Sequence, residues 1–279
     1  MNSKHLSLID RGSRRGSIII RNITSFMRIL PRFIIIGVGR GGTTSLYNYL
    51  TAHPSVMPSV WKEIGFFDQN FHKGINWYKS HFPLNLTKYH IEKKFRKDFT
   101  TGEATPVYIY HPDVSLRIKK IIPNVKLIVL LRNPVDRAYS QFQNAIEHDR
   151  EKRSFEEAVD EQIKEREKIE EENLLNNSKN YKKIYHSKAY LSTGIYIDQI
   201  KPWFEIFSKN QILVIKSEDM YTDPLSIVNK TLEFLDLPKW DLSKFKKYNF
   251  HVYEKEMQTE TRKRLIEFLS LIMKNYMII

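Results

Sequence analysis

The residues with the clearest capacity for chemistry lie in one short stretch, positions 37–45, which reads GVGRGGTTS. Its glycines let a ligand approach the backbone closely, and hydroxyl groups and one guanidinium group stand among them. Backbone N–H groups in such a loop, where a helix begins, point at the oxygens of a bound anion. The stretch therefore predicts an anion cradle, with Arg40 supplying its positive charge.

The spacing of this loop is that of a Walker A loop with one change. Positions 37–44 fit the pattern G-x-x-x-x-G-K-[ST], except that Thr43 stands where the lysine belongs. We interpret the loop as a poor NTPase site that still holds a phosphate without needing a metal ion. The alternative is an ordinary strand-to-helix turn whose glycines serve tight packing, because glycine patterns of this kind are weak signals alone.

A second cationic position follows the apolar sequence KLIVLL at 126–131, a predicted buried strand that leads into Arg132. A guanidinium at the carboxyl edge of a parallel strand points into the crevice where α/β sheets bind ligands, and it can grip a phosphate with two N–H groups. A Walker-type NTPase would be expected to supply a magnesium-binding aspartate here. Ser140 lies two turns further, on a predicted helix, where its hydroxyl could share the same anion. The alternative for Arg132 is a surface ion pair.

A third candidate group lies in the stretch WKEIGFFDQNF at 61–71. Lys62 and Glu63 directly precede an apolar pair, Phe66 and Phe67, and Asp68 follows. A carboxylate beside buried aromatic rings has a raised pKa and can act as a general base. The competing interpretation is that Glu63 forms a local cap or ion pair while the phenylalanines fill the core, and this stretch alone favours it.

Strands that alternate with helices must position these groups. Apolar runs predict buried strands at 33–36, 126–131 and 211–216, and a further strand ends near Gly102. Helices are predicted at 113–122, 135–147, 154–173, 190–207 and 223–235. The pattern predicts an α/β protein with a P-loop-type, mostly parallel central sheet flanked by helices. We expect a basic N-terminal arm over 1–31 and a single domain over 32–279.

Composition narrows the classes of partner. The 279 residues carry a net charge of +13, which favours an anionic partner, and they include no cysteine, which excludes disulfides and thiolate chemistry. No zinc-finger, RNA-recognition or helix-turn-helix pattern points to specific nucleic-acid binding.

No apolar run approaches the ~20 residues of a membrane span, and no signal peptide is evident. We expect a cytoplasmic protein and leave open peripheral contact with a membrane.

Together these stretches resemble the sulfotransferases that use 3′-phosphoadenosine 5′-phosphosulfate (PAPS). Within them, the resemblance is to the branch that includes the sulfotransferase domains of heparan sulfate enzymes and their microbial relatives. The most specific feature is the spacing of eight residues between Arg132 and Ser140. The matching segments, in family order across about 33–237, are GVGRGGTTSLYNYL (37–50), KEIGFFD (62–68), GEATPVY (102–108), LLRNPVDRAYSQF (130–142) and YLSTGIYIDQIKPWFEIFSKNQILVIKSEDMYTDPL (190–225).

The resemblance implies in-line, metal-independent transfer of a sulfuryl group from PAPS to a hydroxyl or amine of a carbohydrate, lipid or small molecule. It implies that Glu63 is the catalytic base and that Arg40 stabilises charge on the leaving phosphate. Acceptor-side positions are Lys62, Asp68 and Ala104. The residues implied to bind PAPS are Arg40, Gly41, Gly42, Thr43, Thr44 and Ser45 for the 5′-phosphosulfate, and Arg132 and Ser140 for the 3′-phosphate.

The sequence departs from the family pattern at several positions. Arg40 replaces the usual lysine of the loop, which favours electrostatic stabilisation over protonation of the leaving group. Gly65 and Ala104 stand where many heparan-type enzymes have histidine and lysine, so the resemblance does not extend to a heparan-like acceptor. The cysteine-bracketed loop of those enzymes is missing, and Tyr253 and Lys255 are the candidates to replace it.

Two other classes of function stay open from the sequence. One is a P-loop kinase or other nucleotide phosphotransferase, against which Thr43 argues. The other is a non-catalytic anion-binding protein, basic enough to sit on a membrane or on nucleic acid.

Overall fold

One sheet of five strands organises the molecule, with the strand order β2-β3-β1-β4-β5 and every pair parallel. The computed structural model describes residues 18–95, 99–171, 181–185, 188–241 and 256–276. The strands are β1 (Phe33–Gly37), β2 (Val56–Pro58), β3 (Thr100–Ala104), β4 (Lys126–Leu131) and β5 (Ile212–Lys216). The predicted α/β class with a mostly parallel sheet is confirmed.

Helices cover both faces of the sheet, which explains why the strand sequences are almost continuously apolar. In β1, Ile34 and Ile36 pack into one core cluster, whereas Phe33 and Ile35 pack into the cluster on the other face. The helices are α1 (Thr43–Thr51), α2 (Gly74–Lys79), α3 (Asn85–Phe95), α4 (Val114–Ile121), α5 (Pro134–Glu147), α6 (Phe155–Glu171), α7 (Tyr181–Ile184), α8 (Tyr196–Ile206), α9 (Ser217–Thr222), α10 (Pro224–Phe234) and α11 (Thr259–Tyr276).

Two strands differ from the sequence-based expectation. The sequence did not predict the edge strand β2, because this strand has only three residues and ends in a proline, Pro58. A proline is tolerated in an edge strand. Strand β3 continues to Ala104 rather than ending near Gly102, which places Glu103 inside the strand with all five strand residues buried.

Capping side chains fix where the helices begin. The Asn133 side chain accepts hydrogen bonds from the N–H groups of Val135 (3.0 Å) and Asp136 (3.2 Å), so α5 begins directly after Arg132 and Asn133. A capping box precedes α6: Ser154 N donates to Glu157 Oε2 (2.7 Å), and Glu157 N donates to Ser154 Oγ (3.2 Å).

Residues 18–31 contact the domain through two arginines. Arg21 donates to the carbonyl oxygens of Ser80 (2.6 Å) and Phe82 (2.7 Å), and Arg28 also donates to the Phe82 carbonyl (2.8 Å). Residues 1–17 of the predicted arm lie outside the described residues. Among the helices that are described, none combines the length and the apolar character needed to span a bilayer.

The register of the central strands depends on a glycine. Gly102 lies opposite Phe33 in the β1–β3 pairing, and a Cβ atom there would come within 2.5 Å of the Phe33 ring. Because both residues are buried, we expect Gly102→Ala to lower the free energy of unfolding by about 2 kcal/mol through overpacking.

Urea unfolding of the Gly102→Ala variant tests this expectation. Gly39→Ala is the matched control, because a Cβ at Gly39 meets no atom within 4 Å. Equal losses in the two variants would show that close packing on Phe33 is not the cause.

Candidate active site

The glycine-rich loop joins β1 to α1 and is anchored to the neighbouring strand and helix. Val38 N donates to the Leu130 carbonyl of β4 (3.0 Å), and Ser217 Oγ at the start of α9 donates to the Gly41 carbonyl (2.7 Å). A Cβ at Gly41 would lie 2.9 Å from the Leu130 carbonyl oxygen, so the loop packs too closely for a side chain there. The loop is therefore fixed at the carboxyl edge of the sheet.

The start of α1 has the properties of an anion site. Its N-cap is Gly42, which adopts a left-handed conformation with φ of 90° and has no side chain with which to cap the helix. The N–H groups of a first helical turn need partners from outside the helix, and the helix dipole makes that end positive. The residues at this position, Thr43, Thr44 and Ser45, are those expected to contact a phosphosulfate.

The two arginines predicted from separate strand ends lie side by side. Arg132 Nη1 donates to the backbone carbonyl of Arg40 (3.2 Å), and Arg40 Nε donates to Ser140 Oγ (3.0 Å). The structure thus brings Arg40, Arg132 and Ser140 together at the carboxyl edge of β1 and β4. A single anionic ligand bound at this edge could therefore contact all three residues.

A third arginine, Arg137, joins this group and was not singled out from the sequence. Its side chain is 2% exposed, donates through Nη2 to Gln141 Oε1 (2.8 Å) and the Tyr190 carbonyl (2.8 Å), and also bonds Thr193. Its Nε is buried without a hydrogen-bond partner. Burial lowers the pKa of Arg137, and the charges of Arg132 and Arg40 lower it further. The feature of the sequence that could have identified Arg137 is its position one helical turn before Ser140.

We call Arg40, Arg132 and Arg137 the arginine cluster. Among the described residues, no carboxylate forms an ion pair with any of the three. A cavity of about 190 Å³ lies beside the cluster, lined by Arg40, Tyr110, Arg137, Gln141, Asn144 and Arg150, among others. Arg137 is buried, Arg40 and Arg132 are half-buried, and buried cations are normally paired, so this excess of positive charge fits an anionic ligand.

Lys62 connects the loop to the candidate base. Its ammonium donates to Thr44 Oγ1 (2.8 Å) and forms an ion pair with Glu63 Oε1 (2.6 Å). The Glu63 side chain is 54% exposed. Of the two interpretations of this stretch, the structure agrees with the one that the sequence favoured: Glu63 forms a local ion pair, and Phe66 and Phe67 fill the core.

The other acceptor-side residues have different surroundings. Asp68 Oδ1 is buried without a hydrogen-bond partner, and its charge helps to raise the pKa of Tyr110 to about 12, after the larger effect of burial. Ala104 is fully buried in the core cluster that contains Phe33. Its side chain therefore does not line the crevice, although its N–H donates to the Lys62 carbonyl (2.9 Å).

The buried carboxyl group near the site is Glu103, which has no exposed surface. It accepts hydrogen bonds from Tyr78 Oη (2.6 Å), Thr105 Oγ1 (2.6 Å) and Tyr108 Oη (3.3 Å). Burial raises the pKa of Glu103 to about 7, although these hydrogen bonds act in the opposite direction. The sequence places a glutamate near the end of β3. It does not predict that side chains from α2 and from the segment after β3 form hydrogen bonds with that glutamate.

The Glu103 network also supports the segment that carries Glu63. Tyr108 Oη accepts hydrogen bonds from the N–H groups of Phe66 (2.7 Å) and Phe67 (3.2 Å), and Thr105 Oγ1 accepts one from Gly65 (3.3 Å). Residues 62–68 are therefore fixed to the end of β3 by a buried polar network.

Comparison with known proteins agrees with this geometry. Residues 30–270 match the family described as Sulfotransferase domain. The chain belongs to this family. A solved sulfotransferase from Alicyclobacillus acidocaldarius has a TM-score of 0.60 and 26% sequence identity, with 87% of this chain and 92% of that chain covered.

Curated proteins with a related sulfotransferase domain are longer than this chain. The chain is 28% identical to the bifunctional heparan sulfate N-deacetylase/N-sulfotransferase 1 of Caenorhabditis elegans, covering 85% of this chain and 26% of that protein. It is 30% identical to the membrane-associated sulfotransferase kil1 of Dictyostelium discoideum, covering 86% and 63%. It is 30% identical to the heparan sulfate glucosamine 3-O-sulfotransferase 3B1 of Mus musculus, covering 75% and 47%.

The titration of Glu103 predicts a pH effect on stability. Burial raises its pKa from the usual 4.5 to about 7, so between these values the folded protein holds a proton that the unfolded chain releases. The contribution of Glu103 to the free energy of unfolding is therefore fully present below about pH 4.5 and is lost as the pH rises to about 7. The loss is on the order of 3 kcal/mol, at ~1.4 kcal/mol per pKa unit. The Glu103→Gln variant should lack this decrease.

Urea unfolding at a series of pH values measures the difference between wild type and Glu103→Gln. Glu92→Gln is the control, because the Glu92 side chain on α3 is 39% exposed, in contrast to Glu103. Parallel pH profiles of wild type and Glu103→Gln would refute a proton held by Glu103.

Proposed function

We propose that this chain is a PAPS-dependent sulfotransferase that transfers a sulfuryl group to a hydroxyl or amine of a carbohydrate, lipid or small molecule. The observation that carries the proposal is the arginine cluster, which meets a glycine-rich helix start and Ser140 with no described carboxylate paired to it. Membership in the sulfotransferase domain family makes PAPS the expected anionic donor.

The residues present fit such a donor. The loop N–H groups and Arg40, Gly41, Gly42, Thr43, Thr44 and Ser45 would hold its 5′-phosphosulfate, and Arg132 and Ser140 its 3′-phosphate. Arg137, which lines the adjoining cavity, and the anchored glycines add a cationic group and backbone donors beside Arg40. When bound, the donor supplies an activated sulfuryl group and a phosphate leaving group.

The chain's own groups then have distinct tasks. Arg40 provides fixed positive charge where charge develops on the leaving oxygen, which is the most effective form of electrostatic catalysis. Glu63 takes the proton from the attacking hydroxyl or amine. Lys62 touches both Thr44 and Glu63, so it holds the base at a defined distance from the cradle. The roles of Lys62 and Asp68 in holding the acceptor are part of this proposal.

The acceptor is left at the level of a hydroxyl or amine. Two of the relatives described above have names that refer to heparan sulfate, but the chain spans only 26% and 47% of them. Gly65 lacks a side chain, and the Ala104 side chain is buried in the core. Neither residue supplies a cationic contact for a polyanionic glycan. A cytoplasmic location and peripheral membrane contact remain predictions.

Donor binding is tested by calorimetry with 3′-phosphoadenosine 5′-phosphate. We expect Arg132→Ala to weaken binding about 10- to 100-fold, because a charge-assisted hydrogen bond contributes about 1.5–3 kcal/mol. Arg32→Ala is the matched control. Arg32 lies just before the amino end of β1, and its side chain is 52% exposed and pairs with Asp236. If wild type does not bind this nucleotide but turns over ATP with magnesium, the phosphotransferase alternative replaces the proposal.

Catalysis by Glu63 is tested with labelled PAPS and a panel of glycan, lipid and phenol acceptors. We expect Glu63→Gln to lower kcat about 10²- to 10⁴-fold, as loss of a general base does, and to leave nucleotide affinity nearly unchanged. Glu92→Gln is the control, because Glu92 also pairs with a lysine, at 3.8 Å. Unchanged turnover in Glu63→Gln would remove Glu63 from the mechanism.

A further inference from the structure

An unusual group of apolar side chains faces solvent near the start of the described chain. Ile19, Ile20, Ile23 and Phe26 are 69–75% exposed, and Met27 is 45% exposed. We call these five residues the exposed apolar face. Single exposed apolar residues are normal on soluble proteins, but five within nine positions form the kind of patch that marks an interaction site.

The exposed apolar face is held in place by the residues around it. Ile18 is buried, and the guanidinium groups of Arg21 and Arg28 bond the carbonyl oxygens of Ser80 and Phe82. The segment is therefore docked on the domain by its polar and buried side chains. Its large apolar side chains point outward, although burying them would contribute about 1.5–3 kcal/mol each.

The apolar surface continues onto α3. Arg28 forms an isolated antiparallel bridge with Leu84, and α3 begins at the next residue. Leu86 and Tyr89 in its first two turns are both 56% exposed. A cationic group lies beside them, because the ammonium of Lys93 is positioned over the Tyr89 ring.

The charge around this surface is mainly positive. No aspartate or glutamate occurs between Asp10 and Glu63, and Lys88 and Lys93 lie on α3 with the exposed Leu86 and Tyr89. On the described part of α3, Glu92 is paired with Lys88 at 3.8 Å. Exposed apolar side chains within a basic surface are the combination that binds the headgroup region of anionic lipid.

We propose that the exposed apolar face and the start of α3 dock this domain on an anionic lipid bilayer. The apolar side chains enter the boundary between headgroups and acyl chains, and Lys88 and Lys93 contact the lipid phosphates. A second copy of the chain is a poorer occupant, because a two-fold symmetric interface would bring two basic surfaces together. The proposal is independent of the donor and acceptor of the site.

Vesicle flotation of the full chain tests this proposal. We expect binding to vesicles of phosphatidylcholine mixed with phosphatidylserine, weaker binding to phosphatidylcholine alone, and a decrease with added salt. The double variant Ile23→Asp/Phe26→Asp should lose at least about tenfold in binding to the mixed vesicles, because it removes apolar anchors and adds negative charge.

Leu116→Asp on α4 is the matched control, since Leu116 is an isolated apolar residue that is 61% exposed. All variants should unfold at the wild-type temperature, because the replaced side chains are exposed. Three results would overturn the proposal. These are absence of wild-type binding to either vesicle, equal binding by wild type and the double variant, or a wild-type dimer that does not bind lipid and dissociates in the double variant.

Discussion

The concentration of positive charge at one edge of the sheet is the constraint that the rest of the structure must accommodate. Arg40, Arg132 and Arg137 come from a loop, a strand end and a helix, and carbonyl, hydroxyl and amide oxygens satisfy part of their hydrogen-bonding capacity. Burying an unpaired cation costs several kcal/mol, as the lowered pKa of Arg137 also indicates. The surrounding sheet must offset this cost, and a bound anion would remove much of it.

The parts of the molecule that sequence reasoning predicted are those set by local rules. The strands at 33–37 and 126–131 were evident because burial on both faces demands a continuous apolar run. The glycine-rich turn was evident because it stands between an apolar run and the start of a predicted helix, with spacing close to that of a Walker A loop. The meeting of Arg132 and Ser140 followed from helical periodicity after a strand end, and the structure places both beside Arg40.

The parts that sequence reasoning did not predict are set by distant contacts. Glu103 becomes a buried, protonatable carboxyl because Tyr78 from α2 and Tyr108 from beyond β3 reach it. For Glu63 the sequence left two interpretations open, and the structure has the local ion pair with Lys62, with Phe66 and Phe67 buried in the core. The neighbouring residues in the sequence do not distinguish these two glutamates, since the burial of each depends on the packing of the whole domain.

The central position of β1 has a consequence for how such a site can diversify. From β1 the chain builds one flank of the crevice with residues 56–108 and the other with residues 126–144, on opposite sides of the same strand. Insertions or substitutions in the earlier portion can reshape one wall while the grip of the later portion on its ligand is preserved. The loop after β1 thus stands between the segment that carries Lys62 and Glu63 and the segment that carries Arg132 and Ser140, so each segment can vary without displacing the other.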